Sequence, residues 1–313
     1  MNEEIVNEQE PSSAQSGEQA PSGSEADAKQ TPAPDPAQHD ASTDSAFADR
    51  PTDRPTVPID PAEPSAGSPA MRIAVSALSD VGCVRTNNED FYGYDESLGI
   101  YVICDGMGGM ASGEVASSRT VAAILKSYAE SAASGGPISA RLLHAINTAN
   151  LDVWDNAQVP ENKGMGTTVV AAALDGGKLI LGNVGDSRAY ILQGDKCAQL
   201  TVDHSYINEL IRNGTLTIEN AHLADLRGME SVITRAVGVA AEVQPDFYSV
   251  DLTAGVGVLL ATDGLTRYFV EDEIAAILAA STFDTACANL IQMAKQRGGQ
   301  DNVTCILILA VGA

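Results

Sequence analysis

The chain has 313 residues, 44% of them hydrophobic and 19% charged, a composition that gives a globular core in one large domain or two small ones. Its 42 acidic residues against 18 basic ones, a net charge of -24, argue against nucleic-acid binding, which draws its affinity from Lys and Arg neutralising phosphates. Cys83, Cys104, Cys197, Cys287 and Cys305 are an odd number without CxxC spacing, most of them inside apolar runs, and read as reduced core residues of a cytoplasmic protein.

Residues 1 to about 70 hold eleven of the fourteen prolines, fourteen acids against three bases and few large apolar side chains. Such a segment cannot offset its chain entropy by burial and is predicted to be a disordered tail, either a solubilising spacer or a partner-binding arm. The stretch 1–10 is acidic and lacks the apolar run of a secretory signal, and no stretch has the length of a membrane span, so no membrane association is expected. Met71, at the start of the first strand-like run, is an alternative translation start.

From there the chain reads as short apolar strands separated by Gly- and Asp-rich turns. Strands are predicted over 72–77, 91–95, 100–104, 167–174, 178–184, 188–193, 247–252, 256–261 and 303–311. Asp175-Gly176-Gly177 supplies a hairpin turn. Helices are predicted over about 113–134, with Val121, Ile124, Leu125 and Tyr128 on one face, and over about 138–156, with Leu142, Leu143, Ile146, Asn150 and Val153 together. A second pair, about 271–280 and 283–297, precedes the last strand. Strands joined by tight turns favour antiparallel sheets, so an α+β fold with helices packed on two sheets is expected.

Four acids adjoin strands and carry glycine or small polar neighbours. Asp105 follows Tyr101-Val-Ile-Cys104 and precedes a Gly-rich loop; Asp186 follows Leu181-Gly-Asn-Val-Gly185; Asp263 follows Leu259-Leu-Ala-Thr262; Asp301 precedes the last strand. A carboxylate at a strand end is rigidly aimed, and a neighbouring glycine lets an ion or water come close. Any one Asp-Gly pair is ordinary turn chemistry; four in such positions point to hard oxygen ligands for Mg²⁺ or Mn²⁺. His39, His144, His204 and His222 show no zinc spacing, and the chain has neither a Gly-x-Ser-x-Gly elbow nor a P-loop. Upstream, Arg85 stands four residues before the acid pair Glu89-Asp90, a fork suited to phosphate beside groups suited to an ion.

In chain order, Arg85-Thr-Asn-Asn-Glu89-Asp90, Asp105-Gly-Met-Gly-Gly109, Gly164-Met-Gly-Thr-Thr168, Gly185-Asp-Ser-Arg188, Asp203-His-Ser205, Ile233-Thr-Arg-Ala-Val-Gly238, Thr262-Asp-Gly-Leu265 and Gly298-Gly-Gln-Asp-Asn302 resemble the blocks of the PPM, or PP2C, metal-dependent protein phosphatases, their bacterial members above all. The resemblance covers nearly all of 71–313 and none of the tail. It implies a four-layer αββα sandwich, two antiparallel sheets flanked by helix pairs, with a flap at about 203–235. It also implies hydrolysis of phosphoserine and phosphothreonine in proteins by a metal-activated water. Asp105 would bridge two core ions, Asp263 and Asp301 would complete one, and Glu89 with the Gly106 carbonyl would hold the other. Asp186, with Asp263, matches a third and weaker site, its alternative role being a turn acid paired with Arg188. Arg85 would clamp the phosphate, and Asp90 would hydrogen-bond water on the metals. The implied partners are phosphorylated proteins and a cognate Ser/Thr kinase, the chain acting as a monomer.

Two departures stand out. Met107 occupies the position where many eukaryotic members have a histidine proposed as general acid, which leaves a water near Asp186, or less readily His204, to protonate the leaving oxygen. Thr266-Arg267 stands where some members place a further acid. The competing readings are a catalytically inactive member that acts as a regulatory or phosphopeptide-binding module, and an acidic calcium-binding protein, which lacks EF-hand spacing.

Overall fold

The computed structural model describes residues 72–108, 112–217, 220, 229 and 232–312. The predicted tail, Met71, Gly109 and His222 lie outside the described residues.

The strands and helices follow the apolar periods of the sequence. In order they are β1 (Arg72–Asp80), β2 (Asp90–Asp95), β3 (Ile100–Met107), α1 (Ser112–Ser131), α2 (Ile138–Ala157), β4 (Gly166–Thr167), β5 (Val169–Asp175), β6 (Lys178–Val184), β7 (Arg188–Gln193), β8 (Lys196–Gln199), α3 (Tyr206–Arg212), β9 (Asp246–Asp251), β10 (Val256–Ala261), α4 (Asp263–Thr266), α5 (Glu271–Ala279), α6 (Phe283–Gln296) and β11 (Val303–Val311). One sheet runs β1-β11-β10-β7-β8 and the other β2-β3-β5-β6-β9, with the two-residue β4 paired to β3. Every pairing is antiparallel.

Alternation along the strands divides the buried side chains into three layers. Tyr101, Ile103, Val170, Ala172, Leu179 and Leu181 of the second sheet meet Val258, Leu260, Ile306 and Ile308 of the first in a core between the sheets. The opposite face of β3, Ile100, Val102 and Cys104, packs on Val121, Ile124 and Tyr128 of α1 and Leu142, Ile146 and Val153 of α2. Leu259, Cys305 and Leu307 face α5 and α6 through Ile274, Leu290 and Ile291. The result is the expected αββα sandwich.

Several local expectations change. Leu143 is exposed on α2, since its neighbour Leu142 takes the buried position. Cys83 is exposed, in the polar loop after β1, whereas Cys104, Cys287 and Cys305 are buried; all five thiols are free. The strand β8 and the short helices α3 and α4 escape prediction because four to seven residues are too few to show a period. Asp105 is not the terminus of its strand: β3 continues through Gly106 and Met107, which pair with β4. Within the flap span, α3 and an antiparallel bridge between Ser205 and Ile233 tie the described part down. Among the described residues no helix is long and apolar enough to cross a membrane.

Candidate metal centre

The acids singled out in the sequence gather at one end of the sandwich, because both sheets end there. Asp90 opens β2 and is the register partner of Asp105 in β3. Tyr101 and Ile103 point between the sheets, so Asp105, two residues on, shares their face, as does its cross-strand partner Asp90. Asp90 spans the gap. Its Oδ2 accepts hydrogen bonds from Thr262 Oγ1 at 2.8 Å and Thr304 Oγ1 at 2.7 Å, both in or beside the first sheet. Thr262 immediately precedes Asp263, the first residue of α4, and Asp301 stands just ahead of β11. Asp186 sits in the β6–β7 turn after Gly185, whose φ of 104° favours glycine.

The backbone at Asp105 is pinned on both sides. Its N–H donates to Thr168 Oγ1 at 2.9 Å, and its carbonyl accepts from Thr167 Oγ1 at 2.8 Å. The loop carrying Arg85 and Glu89 is held by Asn302, whose Oδ1 accepts from the Glu89 N–H at 2.8 Å. The Asn302 amide donates to the Val81 and Asn87 carbonyls at 3.0 and 2.9 Å. Glu89 and Gly106 converge on Gly113 of α1, where a β-carbon would lie 2.9 Å from both the Glu89 Cδ and the Gly106 carbonyl oxygen. Only glycine leaves that approach open. Asn302, Thr168, Thr262, Thr304 and Gly113 were not assigned site roles from the sequence. Thr262, Thr168 and Asn302 lie inside recognised blocks, which is the one signal that could have marked them.

The electrostatics of this end are those of crowded negative charge. Burial pushes the Asp90 carboxyl up to about 7, aided by the charges of Asp263 and Asp301 and opposed by the two threonine hydrogen bonds. Burial, then the charges of Asp90, Asp263, Asp186 and Asp301, drives Asp105 well above the carboxylate range. Asp186 is pushed up to about 7 by burial and by Asp263 and Asp203. The Oδ1 atom of Asp90 is buried without a hydrogen-bond partner.

Two arginines offset part of this charge. Arg85 Nη2 lies 3.0 Å from Asp301 Oδ2, and its Nη1 3.9 Å from Glu89 Oε2. Arg267 pairs with Asp263 Oδ2 and stands 3.6 Å from the same Asp301 Oδ2. With Asp263 and Asp301 turned to these arginines, no three His, Cys, Asp or Glu side chains among the described residues clasp an ion as they stand. The donor set still fits a hard divalent cation. It is all oxygen, it includes an orphaned buried carboxylate oxygen, and its mutual repulsion is what a bound cation relieves.

An open pocket of about 260 Å³ adjoins the acids, lined by Asp186, Arg188, Asp203, Ser205, Asp263, Thr266 and Arg267. Arg188 is clasped by Asp203 through three hydrogen bonds of 2.7 to 3.1 Å, so it is not the partner of Asp186. His204 is fully buried. Its Nδ1 accepts from the Gly185 N–H at 3.1 Å, which puts the proton of the neutral ring on Nε2, 3.2 Å from Asp246 Oδ2. Burial holds its pKa below the usual value. Sealed in this way, His204 cannot hand a proton to a ligand in the pocket, which removes the alternative donor.

Two antiparallel sheets flanked by helices, with carboxylates meeting where both sheets end, define the architecture of the metal-dependent phosphatases. Residues 84–307 match the model of the Protein phosphatase 2C family, and the chain belongs to that family. It is similar to the protein phosphatase PhpP of Streptococcus pneumoniae, 34% identical over an alignment of 242 residues that covers 75% of this chain and 96% of the relative. Among solved structures it is similar to the serine/threonine phosphatase Stp1 of Staphylococcus aureus, at 33% identity and a TM-score of 0.69, covering 80% of this chain and all of that one. It is also similar to the catalytic domain of the serine/threonine protein phosphatase PstP in complex with two manganese ions, at 32% identity and a TM-score of 0.67, covering 77% and 100%.

Proposed function

We infer that this chain removes phosphate from phosphoserine and phosphothreonine in proteins with the help of divalent cations. The observation that carries the reading is the convergence of Asp90, Asp105, Asp186, Asp263 and Asp301 on one partly buried spot, where the charges of the other four oppose the ionisation of Asp105. The serine/threonine phosphatases to which the chain is similar, one of them holding two manganese ions, support it.

In this reading Asp105, Asp263, Asp301, Glu89 and the Gly106 carbonyl would together hold two core ions, and Asp186 with Asp263 would hold a third. Mg²⁺ or Mn²⁺ suits the all-oxygen set. When bound, the ions supply a nucleophilic water at neutral pH and neutralise phosphoryl oxygens. The remaining tasks fall to the chain. Arg85, half-exposed beside Glu89 and Asp301, offers its planar fork to the phosphoryl oxygens. Thr262 and Thr304 fix the Asp90 carboxylate so that its free Oδ1 can accept a hydrogen bond from water beside Asp105. Met107 is a thioether and His204 is sealed, so water in the pocket beside Asp186 protonates the leaving oxygen.

Phosphorylated proteins are the substrate class, and a Ser/Thr kinase acting on the same proteins is the expected counterpart. The catalytic domain spans 71–313 with its flap at about 203–235 and works as a cytoplasmic monomer. The inactive binding module finds no support, since every expected ligand position keeps its oxygen donor.

The test is orthophosphate release from a phosphothreonine peptide by the full chain. Release that requires Mn²⁺ or Mg²⁺ and disappears in Asp301→Asn is the expected result. Peptide binding without release would instead favour the regulatory module.

A further inference from the structure

One carboxylate oxygen, Asp301 Oδ2, has two arginines against it, Arg85 at 3.0 Å and Arg267 at 3.6 Å. Arg267 also reaches Asp263 twice, pairing with its carboxylate and donating from Nε to its carbonyl at 3.2 Å. Both carboxylates are ligands in the reading above. We propose that Arg267 is a second phosphate-binding arginine, parked on Asp263 and Asp301 until a divalent ion takes those carboxylates and then free to join Arg85 on the phosphoryl group. This rests on the phosphatase reading and adds a residue to it.

Three features support the assignment. The parked pairs are weak ones, because the Arg267 side chain is 35% exposed and that of Arg85 46%, and half-exposed ion pairs are worth little after screening and side-chain ordering. A doubly charged ion at the same oxygens displaces such cations and repels them afterwards. Arg267 then has somewhere to go, since it lines the pocket beside Asp186, Ser205 and Thr266. The other arginine of that pocket, Arg188, is committed to Asp203, which leaves Arg267 as the pocket's guanidinium whose partners a cation would take. Two forks that reach one oxygen atom are close enough together to share one phosphate, whose oxygens accept paired N–H donors.

The alternative is a plain i,i+4 ion pair that caps α4, and the two differ in the sign of the metal effect. Manganese titrated calorimetrically into the metal-free full chain is expected to bind about five-fold more tightly to Arg267→Ala than to wild type, because an internal competitor of the strength of an exposed ion pair is gone. Orthophosphate titrated into the manganese-loaded proteins is expected to bind Arg267→Ala about ten-fold more weakly, the loss of one charge-assisted contact. Arg267→Lys keeps the charge without the fork, so its manganese affinity stays nearer wild type while its orthophosphate affinity falls. It also tests the idea if the alanine variant does not fold. Unchanged or weaker manganese binding in Arg267→Ala, or unchanged orthophosphate binding in both variants, would overturn the proposal while leaving the phosphatase reading intact. A wild-type chain that binds no divalent ion would overturn both.

Discussion

Asp90 and Asp105 stand directly opposite one another across β2 and β3, and the face they share is the one turned toward the other sheet. Like charges in that relation destabilise a sheet, and burial raises both carboxyls. The pair therefore costs the metal-free fold stability that function requires. Asp105→Asn removes a buried ionisable group at nearly constant shape. It is expected to raise the melting temperature of the chelator-treated protein by about 2–4 °C, the effect of roughly 1 kcal/mol in a domain of this size. Phosphopeptide hydrolysis should fall at least about 100-fold. Scanning calorimetry and a release assay on the same sample check both.

Divalent cations relieve the same repulsion, so they should stabilise the folded chain by linkage. At a manganese concentration about one hundred times Kd the gain is about 2.7 kcal/mol. The corresponding rise in melting temperature should be reversed by chelator and much reduced in Asp263→Asn and Asp301→Asn. A rise of the same size in those variants would place the ions elsewhere.

Asn302 is buried and makes three hydrogen bonds that join the loop at 81–89 to the start of β11. Asn302→Ala leaves the Glu89 N–H and two carbonyls without these partners, a loss of about 2–4 kcal/mol in urea unfolding. Because the loop carries Arg85 and Glu89, kcat/KM should drop as well, with the melting temperature gained from manganese reduced.

His204 is held neutral against Asp246, Arg235 and Arg212, with Glu209 paired to both arginines. A second proton would have to sit on Nδ1, against the Gly185 N–H. Its folded pKa is depressed, so its contribution is complete above the unfolded value of about 6.5. That contribution is lost as pH falls from there toward the folded value. Over the same range the raised carboxyls of Asp90, Asp105 and Asp186 work the other way, since their protonation stabilises the fold as pH falls. The His204 contribution is therefore read as the difference between wild type and His204→Asn in denaturant titrations at each pH, wild type losing stability relative to the variant below about pH 6.5. The pH dependence of hydrolysis, by contrast, should keep its shape in the variant, since His204 donates no proton to the leaving group.

What the sequence determined by itself was the pattern of short apolar strands, the two helix pairs and the acids that adjoin strands. Asp105, Asp263 and Asp301 announce themselves because a run that must be buried stops beside a charge, a local signal. The tertiary structure decided everything that depends on residues distant in the chain meeting. The opposition of Asp90 and Asp105 is a matter of strand register. The seats of Asp90 on Thr262 and Thr304, and of Glu89 on Asn302, use residues with no period of their own. The sealing of His204 follows from how the described part of the flap closes on β9. Arg267 reads locally as a lone departure in a loop. Only the strand order β1-β11-β10 within the first sheet, which brings the end of β10 and the start of β11 to the loop after β1, sets it beside Arg85 on a single carboxylate oxygen.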